Sequence, residues 1–334
     1  MSHMALESAE GPEAVARFLA LNHTKLVELG KCLRKAPPQT ILTSARGSSD
    51  NAAGYFKYIT EILTGIPCCS IGASVVSVYG AKLQVENGLC LTISQSGKSP
   101  DIVALQEAAK KSGALTVALV NVEGSPAALS ADICLALHAG PEQSVAATKS
   151  FVVSLAAGAA ILAHWLGQAE LLDAVAQLPE VLARASKIYW AQAVDLAVAT
   201  DSLYVLGRGP ALPIAAETAL KLKETCAIHA EAYSVAEVMH GPLELLGKDF
   251  PVLTYAPEDQ SSATTAAAIK KIRATGAKVL TMGSGGLTYA RSRHSLLDPI
   301  SMIQTAYGFV EATAKALGRN PDQPRLLKKV TETV

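Results

Sequence analysis

The chain repeats itself once, at an offset of 162 residues, and that repeat constrains its fold more than any other feature. Ile41-Leu42-Thr43-Ser44-Ala45-Arg46-Gly47 matches Leu203-Tyr204-Val205-Leu206-Gly207-Arg208-Gly209, and Leu91-Thr92-Ile93-Ser94 matches Leu253-Thr254-Tyr255-Ala256. Residues 107–117 and 269–279 then both read as a Lys-Lys helix end, a glycine and a new strand, the glycines falling within one residue of the same offset. Two copies of one domain are expected. Within each copy, apolar runs such as 41–45, 89–93, 115–120 and 133–137 alternate with longer amphipathic segments such as Pro100–Lys111. That alternation predicts an α/β fold in which each copy is a parallel sheet flanked by helices on both faces. Ligands in such sheets bind at the carboxyl ends of strands, so the loops after 41–45, after 89–93 and their counterparts come first. The expected organisation is an N-terminal helical segment (1–35), a first domain (36–178), a helical connector (179–199), a second domain (200–316) and a C-terminal tail (317–334).

Half of the residues are apolar and 17% are charged, enough for two cores and too apolar for a disordered chain. Lys+Arg and Asp+Glu balance at 29 each, which argues against nucleic acid as a partner, because phosphate-backbone binding needs a basic excess. Six cysteines without a Cys-x-x-Cys pair read as reduced, mostly buried thiols rather than disulfides or metal ligands. The first twenty residues lack a basic-then-apolar leader, and Met1-Ser2-His3-Met4 reads as an expression remnant. The most apolar stretch, 151–163, is thirteen residues long, short of the roughly 20 that a membrane span requires. A cytoplasmic protein without a membrane partner is expected.

The loop after 89–93 reads Ser94-Gln95-Ser96-Gly97-Lys98-Ser99-Pro100. Hydroxyls and free backbone N–H groups at a helix N-terminus suit a phosphate dianion, and Gly97 permits close backbone approach. The alternative is a polar turn in which Ser99 merely caps the helix. The loop after the first strand, Arg46-Gly47-Ser48-Ser49-Asp50, is also Ser-rich, whereas the second copy has Ala256-Pro257-Glu258-Asp259 in place of the cradle. Two carboxylates there would repel phosphate, an asymmetry that a plain turn does not need.

The second copy carries a different set of groups. Lys221 and Glu224 share a helix face, as a solvated ion pair or, if the apolar Ala219, Leu220 and Leu222 around them are buried, as an acid–base pair. His240 stands before the Gly241-Pro242 break, placed either to pack or to meet a ligand.

Ser94-Gln95-Ser96-Gly97, Leu220-Lys221-Leu222-Lys223-Glu224, Ile228-His229-Ala230-Glu231-Ala232-Tyr233, His240-Gly241-Pro242-Leu243 and Asp322-Gln323-Pro324-Arg325 together resemble the isomerase half of the glucosamine-6-phosphate synthases. The doubled domain looks like a tandem sugar-isomerase (SIS) fold. The resemblance implies a sugar phosphate held by Ser49, Ser94, Gln95, Ser96 and Ser99, with Ala147 where those synthases have a serine near the sugar; Arg46, Gly47 and Ser48 of the first loop are expected to border the same substrate. It implies proton transfer by Glu224 beside Lys221, ring opening by His240 from a neighbouring subunit, and Lys329 meeting the open-chain carbonyl. Arg46 replaces a small thiol residue of that family, and Met239 replaces a lysine.

The chain starts with a helix leading into the first copy and shows no glutaminase, so amination from glutamine is not expected of it. The expected activity is that of the SIS-type glucosamine-6-phosphate deaminases, converting glucosamine 6-phosphate and water to fructose 6-phosphate and ammonia. No metal or other cofactor is called for, because the carbonyl itself acidifies the C2 proton. The expected partners are a sugar phosphate and a second copy of the chain. Alternatives are another phosphosugar aldose–ketose isomerase, a fructosamine-6-phosphate deglycase and a non-catalytic phosphosugar sensor.

Overall fold

A computed structural model describes residues 1–283, 285–327 and 329. Of the tail 317–334, Lys328 and 330–334 therefore lie outside the described residues. The chain forms two compact units: a first-copy unit of residues 13–142 and 149–176, and a second-copy unit of 1–12, 143–148 and 177–329.

The first-copy unit contains β1 (Ile41–Ser44), β2 (Cys68–Ser70), β3 (Leu89–Ser94), β4 (Leu115–Val120) and β5 (Ile133–Ala136), all parallel in the order β2-β1-β3-β4-β5. The second-copy unit contains β6 (Ser202–Gly207), β7 (His229–Ser234), β8 (Pro251–Ala256) and β9 (Lys278–Gly283), parallel in the order β7-β6-β8-β9. β8 is β3 displaced by the 162 residues of the repeat, at both ends. The α/β class and the pair of helix-flanked parallel sheets are as expected. β3 is buried along its whole length, which explains why it reads as an unbroken apolar run rather than an alternating one. β2 was not anticipated, since three residues are too few to show a period.

Each sheet reverses its winding between two strands, β1 and β3 in one and β6 and β8 in the other. In the second, Tyr204, Leu206 and Val252 pack against Val235, Val238 and Leu246 on one face. Tyr255, of opposite parity, puts its hydroxyl 2.6 Å from Thr218 Oγ1 on helix Leu212–Lys221. Side chains alternate along a strand. Helix Leu212–Lys221 therefore covers one face of this sheet and the segment 235–246 covers the other.

Helix Lys149–Leu166 corrects the reading of the apolar stretch. At 18 residues it is long and apolar enough to cross a bilayer, but 89% of it is buried, as in a core helix. Gly158 lets it approach helix Ser48–Thr64 closely, since an added Cβ would lie 3.2 Å from the Phe56 ring. Ser2 caps helix His3–Ala9, and the Asp322 carboxylate accepts the N–H groups of His3 and Met4. Among the cysteines, Cys68, Cys90 and Cys226 are buried, Cys134 is half-buried, and Cys32 and Cys69 are exposed. Burial pushes the Cys68 thiol up to about 12, well away from thiolate chemistry.

Candidate functional site

The crevice of the first sheet opens between the loops that follow β1 and β3, where the winding reverses. Gly47, at φ 56, turns the first loop into helix Ser48–Thr64, whose N-terminus has no side-chain cap. Ser48 and Ser49 form its opening turn. In the second loop the Ser94 hydroxyl accepts the Gly97 N–H (3.0 Å) and the Ser96 hydroxyl accepts the Lys98 N–H (3.3 Å). Gly97 adopts φ 64, and a Cβ there would run into the Ser125 side chain. Ser99 occupies the N-cap position of helix Pro100–Lys111, yet its hydroxyl does not cap. The simple capping turn is therefore not what forms. Two open helix N-termini and a set of hydroxyls converge here, an arrangement that suits an anion.

Arg46 joins the two loops. Its Nε donates to Asp101 Oδ2 (2.6 Å) in the first turn of helix Pro100–Lys111, where the Asp101 carboxylate is fully buried. In the second-copy unit the loop after β8 is filled from within. Asp259 Oδ1 accepts the Ser261 N–H (2.7 Å) and hydroxyl (2.6 Å) ahead of helix Ser262–Ala274.

Helix Leu212–Lys221 passes into one π-helical turn, Leu222–Cys226, and ends at Ala227 with φ 53. Such turns are uncommon and recur at functional sites. The Lys221 ammonium lies 2.5 Å from Glu224 Oε2 and 3.5 Å from Glu217 Oε1. Side-chain exposure is 1% for Lys221, 0% for Glu217 and 22% for Glu224. This is a buried carboxylate–ammonium–carboxylate triad, not a solvated surface pair, and Glu224 is its outward member. Burial by itself would lower the Lys221 pKa, but the charges of Glu217 and Glu224 outweigh it and raise the pKa above its ordinary value.

Glu224 lines a cavity of about 810 Å³ with Leu220, Thr225, Arg319, Gln323 and Arg325. The structure thus brings Glu224 to the Asp322-Gln323-Pro324-Arg325 stretch of the tail. Lys329 Nζ donates to the Ser144 carbonyl (2.5 Å), and the Val145 N–H reaches the Asp322 carbonyl (3.4 Å). The half-buried Ala147 belongs to the same short segment, 143–148. His240 is not brought to Glu224. It ends the 3₁₀ turn Glu237–His240, exposed, on the face of the second sheet opposite helix Leu212–Lys221.

Two stretches of this chain, residues 33–164 and 196–313, match the SIS domain. The chain belongs to the SIS domain family. A protein from Silicibacter pomeroyi DSS-3 assigned as a phosphosugar isomerase is 45% identical, with a TM-score of 0.93 over 96% of this chain and 100% of that one. The glutamine–fructose-6-phosphate aminotransferase of Thermus thermophilus is 34% identical over 91% of this SIS chain and 54% of its own length. The chain spans about half the length of the curated relatives it matches. A glucosamine-6-phosphate deaminase from Thermotoga maritima, 23% identical, shares the fold with a TM-score of 0.79 over 99% of this chain and 100% of that one.

Three acidic residues of this SIS pair escaped the reading of motifs. Glu217 was legible, because it lies one helical turn before Lys221 in the favourable Glu-to-Lys order. Asp101 and Glu7 were not. The buried Glu7 carboxylate accepts the backbone N–H groups of Gln143 and Ser144, and no local pattern links residues so far apart in sequence.

Proposed function

We propose that this SIS protein is a glucosamine-6-phosphate deaminase, releasing ammonia and fructose 6-phosphate. The observation that carries the reading is the Glu217–Lys221–Glu224 triad. It sets the Glu224 carboxylate beside a buried ammonium and at the lining of a cavity, where a general base for a C–H bond next to a carbonyl can meet a ligand. The Ser-rich crevice of the other unit supports a phosphorylated substrate. The aminotransferase relatives are named for fructose 6-phosphate, the carbon skeleton this reaction would produce.

In this reading His240 opens the pyranose ring to the amino-aldehyde. Glu224 takes the C2 proton, giving a C1–C2 enolamine, and returns it to C1 to leave a C2 ketimine. Water adds to the ketimine and ammonia departs, so that glucosamine 6-phosphate plus water balances fructose 6-phosphate plus ammonia. Lys221 is too buried to touch the sugar and acts through Glu224, as a positioning residue. Lys329 steadies the carbonyl oxygen. Because the second sheet stands between His240 and Glu224 of one chain, His240 is assigned to the pocket of a partner in a two-fold dimer.

The test is ammonia release across glucosamine 6-phosphate, galactosamine 6-phosphate, fructose 6-phosphate and a fructosamine 6-phosphate. Release from an aldose amino sugar, with fructose 6-phosphate as the product of the gluco substrate, is the expected result. Interconversion of unaminated sugar phosphates without ammonia would replace this reading with an aldose–ketose isomerase, within the phosphosugar isomerase class assigned to the 45%-identical relative.

A further inference from the structure

The carboxyl edge of the first sheet holds a second cavity, about 520 Å³, lined by Arg17, Gln95, Asn121, His138 and Gly140. Gln95 and Asn121 directly follow β3 and β4, and His138 follows β5 by two residues, so the cavity lies where parallel α/β sheets place ligands. Its cations are aimed. Arg17 Nε donates to the His138 carbonyl (3.2 Å), which fixes the guanidinium. Gly140, at φ 76, leaves a gap: a Cβ there would stand 4.0 Å from Arg17 Nη2 and 3.9 Å from Lys149 Nζ. Two cations therefore border the space that one missing side chain leaves.

The backbone around this gap is held in an unusual shape. His138 is a non-glycine residue at φ 50, and Asn121 secures its loop by accepting the Ala139 N–H (2.9 Å) and donating to the Gly140 carbonyl (2.8 Å). Strain of this kind persists where the surroundings enforce it, often at binding sites. Two acids stand nearby. Glu123 stands 3.6 Å from His138 Nδ1 with a 69%-exposed side chain. Both Glu142 oxygens accept from Ser150.

We propose that this cavity is a second anion site, taking the phosphate group of a small molecule and separate from the Ser-rich crevice. An arginine, a buried lysine and a histidine around one gap match a dianion better than a single carboxylate. The two sites meet at Gln95, whose carbonyl accepts the Asn121 N–H (3.1 Å), so an occupant of one bears on the loop of the other.

The test is a calorimetric count of equivalents bound per chain, in separate titrations with fructose 6-phosphate and inorganic phosphate. It needs no turnover, so it stands or falls apart from the proposed reaction. Two equivalents are expected with at least one of the ligands, and the arm that shows the second tells whether an ester or free phosphate is preferred. Arg17→Ala should weaken the second equivalent at least tenfold and leave the first intact, while Ser96→Ala should do the reverse. His138→Gly, which relieves the strained backbone, should weaken the second equivalent without lowering the melting temperature. A single equivalent in the unmodified protein with both ligands, or an undiminished second one in Arg17→Ala, would overturn the proposal.

Discussion

Replacing Lys221 with methionine keeps the length of the side chain and removes its charge. Glu217, fully buried, then loses the ammonium 3.5 Å from its carboxylate, while Glu224 keeps some access to water. Removing one partner of a buried ion pair costs about 3–5 kcal/mol, because the remaining charge cannot be solvated. For a unit of this size that corresponds to a midpoint lowered by roughly 6–20 °C. The loss should come mainly from Glu217, so Glu217→Gln with Lys221→Met should recover most of it. The two tryptophans make this measurable: Trp165 belongs to the first-copy unit and Trp190 to the second, and both are buried. In a Trp165→Phe background, Trp190 fluorescence during urea unfolding follows the unit that holds the triad. The pH dependence has a definite sign. Because the folded pKa of Lys221 is raised above its ordinary 10.5, its contribution is fully present below that pH and is lost as pH rises through the folded value. The unmodified protein should therefore lose stability above about pH 10.5 through this group, and Lys221→Met should lack that decline. A loss under about 1 kcal/mol, the size typical of a surface pair, would refute the triad as a buried unit. So would a double variant no more stable than the single one.

Further outcomes follow from the other groups. Ser96→Ala should raise KM for the sugar phosphate about 10- to 100-fold with little change in kcat, from loss of a hydrogen bond to a charged group worth roughly 1.5–3 kcal/mol; steady-state kinetics give the split. Gly97→Ala places a side chain at φ 64 against Ser125, and should weaken phosphate binding measured by calorimetry more than Ser96→Ala does. Inactive Glu224→Gln and His240→Ala chains, fully exchanged into mixed dimers, should regain about a quarter of the unmodified activity, since half the dimers carry one intact pocket of two. No recovery, with heterodimers confirmed by mass, would return His240 to its own chain or remove it from catalysis.

The fold was legible because the repeat is written in apolar runs. β3 and β8 are central and buried on both faces, so apolar residues dominate both. β7 was hidden for the opposite reason: an edge strand, His229–Ser234, with one fully buried residue among its six, shows little periodicity. The two Ser-rich loops announced themselves by composition, whereas their link through Arg46 and Asp101 depends on tertiary placement. The same holds for the opposed positions of Glu224 and His240. A sixteen-residue separation gives no sign that a sheet lies between them, and the reversal of winding at β6 is what puts it there. The gap at Gly140 was equally invisible, since a glycine in a loop reads as a turn until its neighbours are known.

The central claim is that Glu224 moves a proton from C2 to C1 of an amino-sugar phosphate. Deamination of glucosamine 6-phosphate in deuterium oxide, followed by NMR of the fructose 6-phosphate formed, tests it most directly. With the unmodified protein, solvent deuterium should enter C1, diluted by whatever fraction of the C2 proton is transferred internally. Glu224→Gln should bind the sugar phosphate but lower both ammonia release and C1 labelling by about 100-fold or more. Labelling at the normal rate in Glu224→Gln, or ammonia released with no deuterium or transferred proton at C1, would contradict the account.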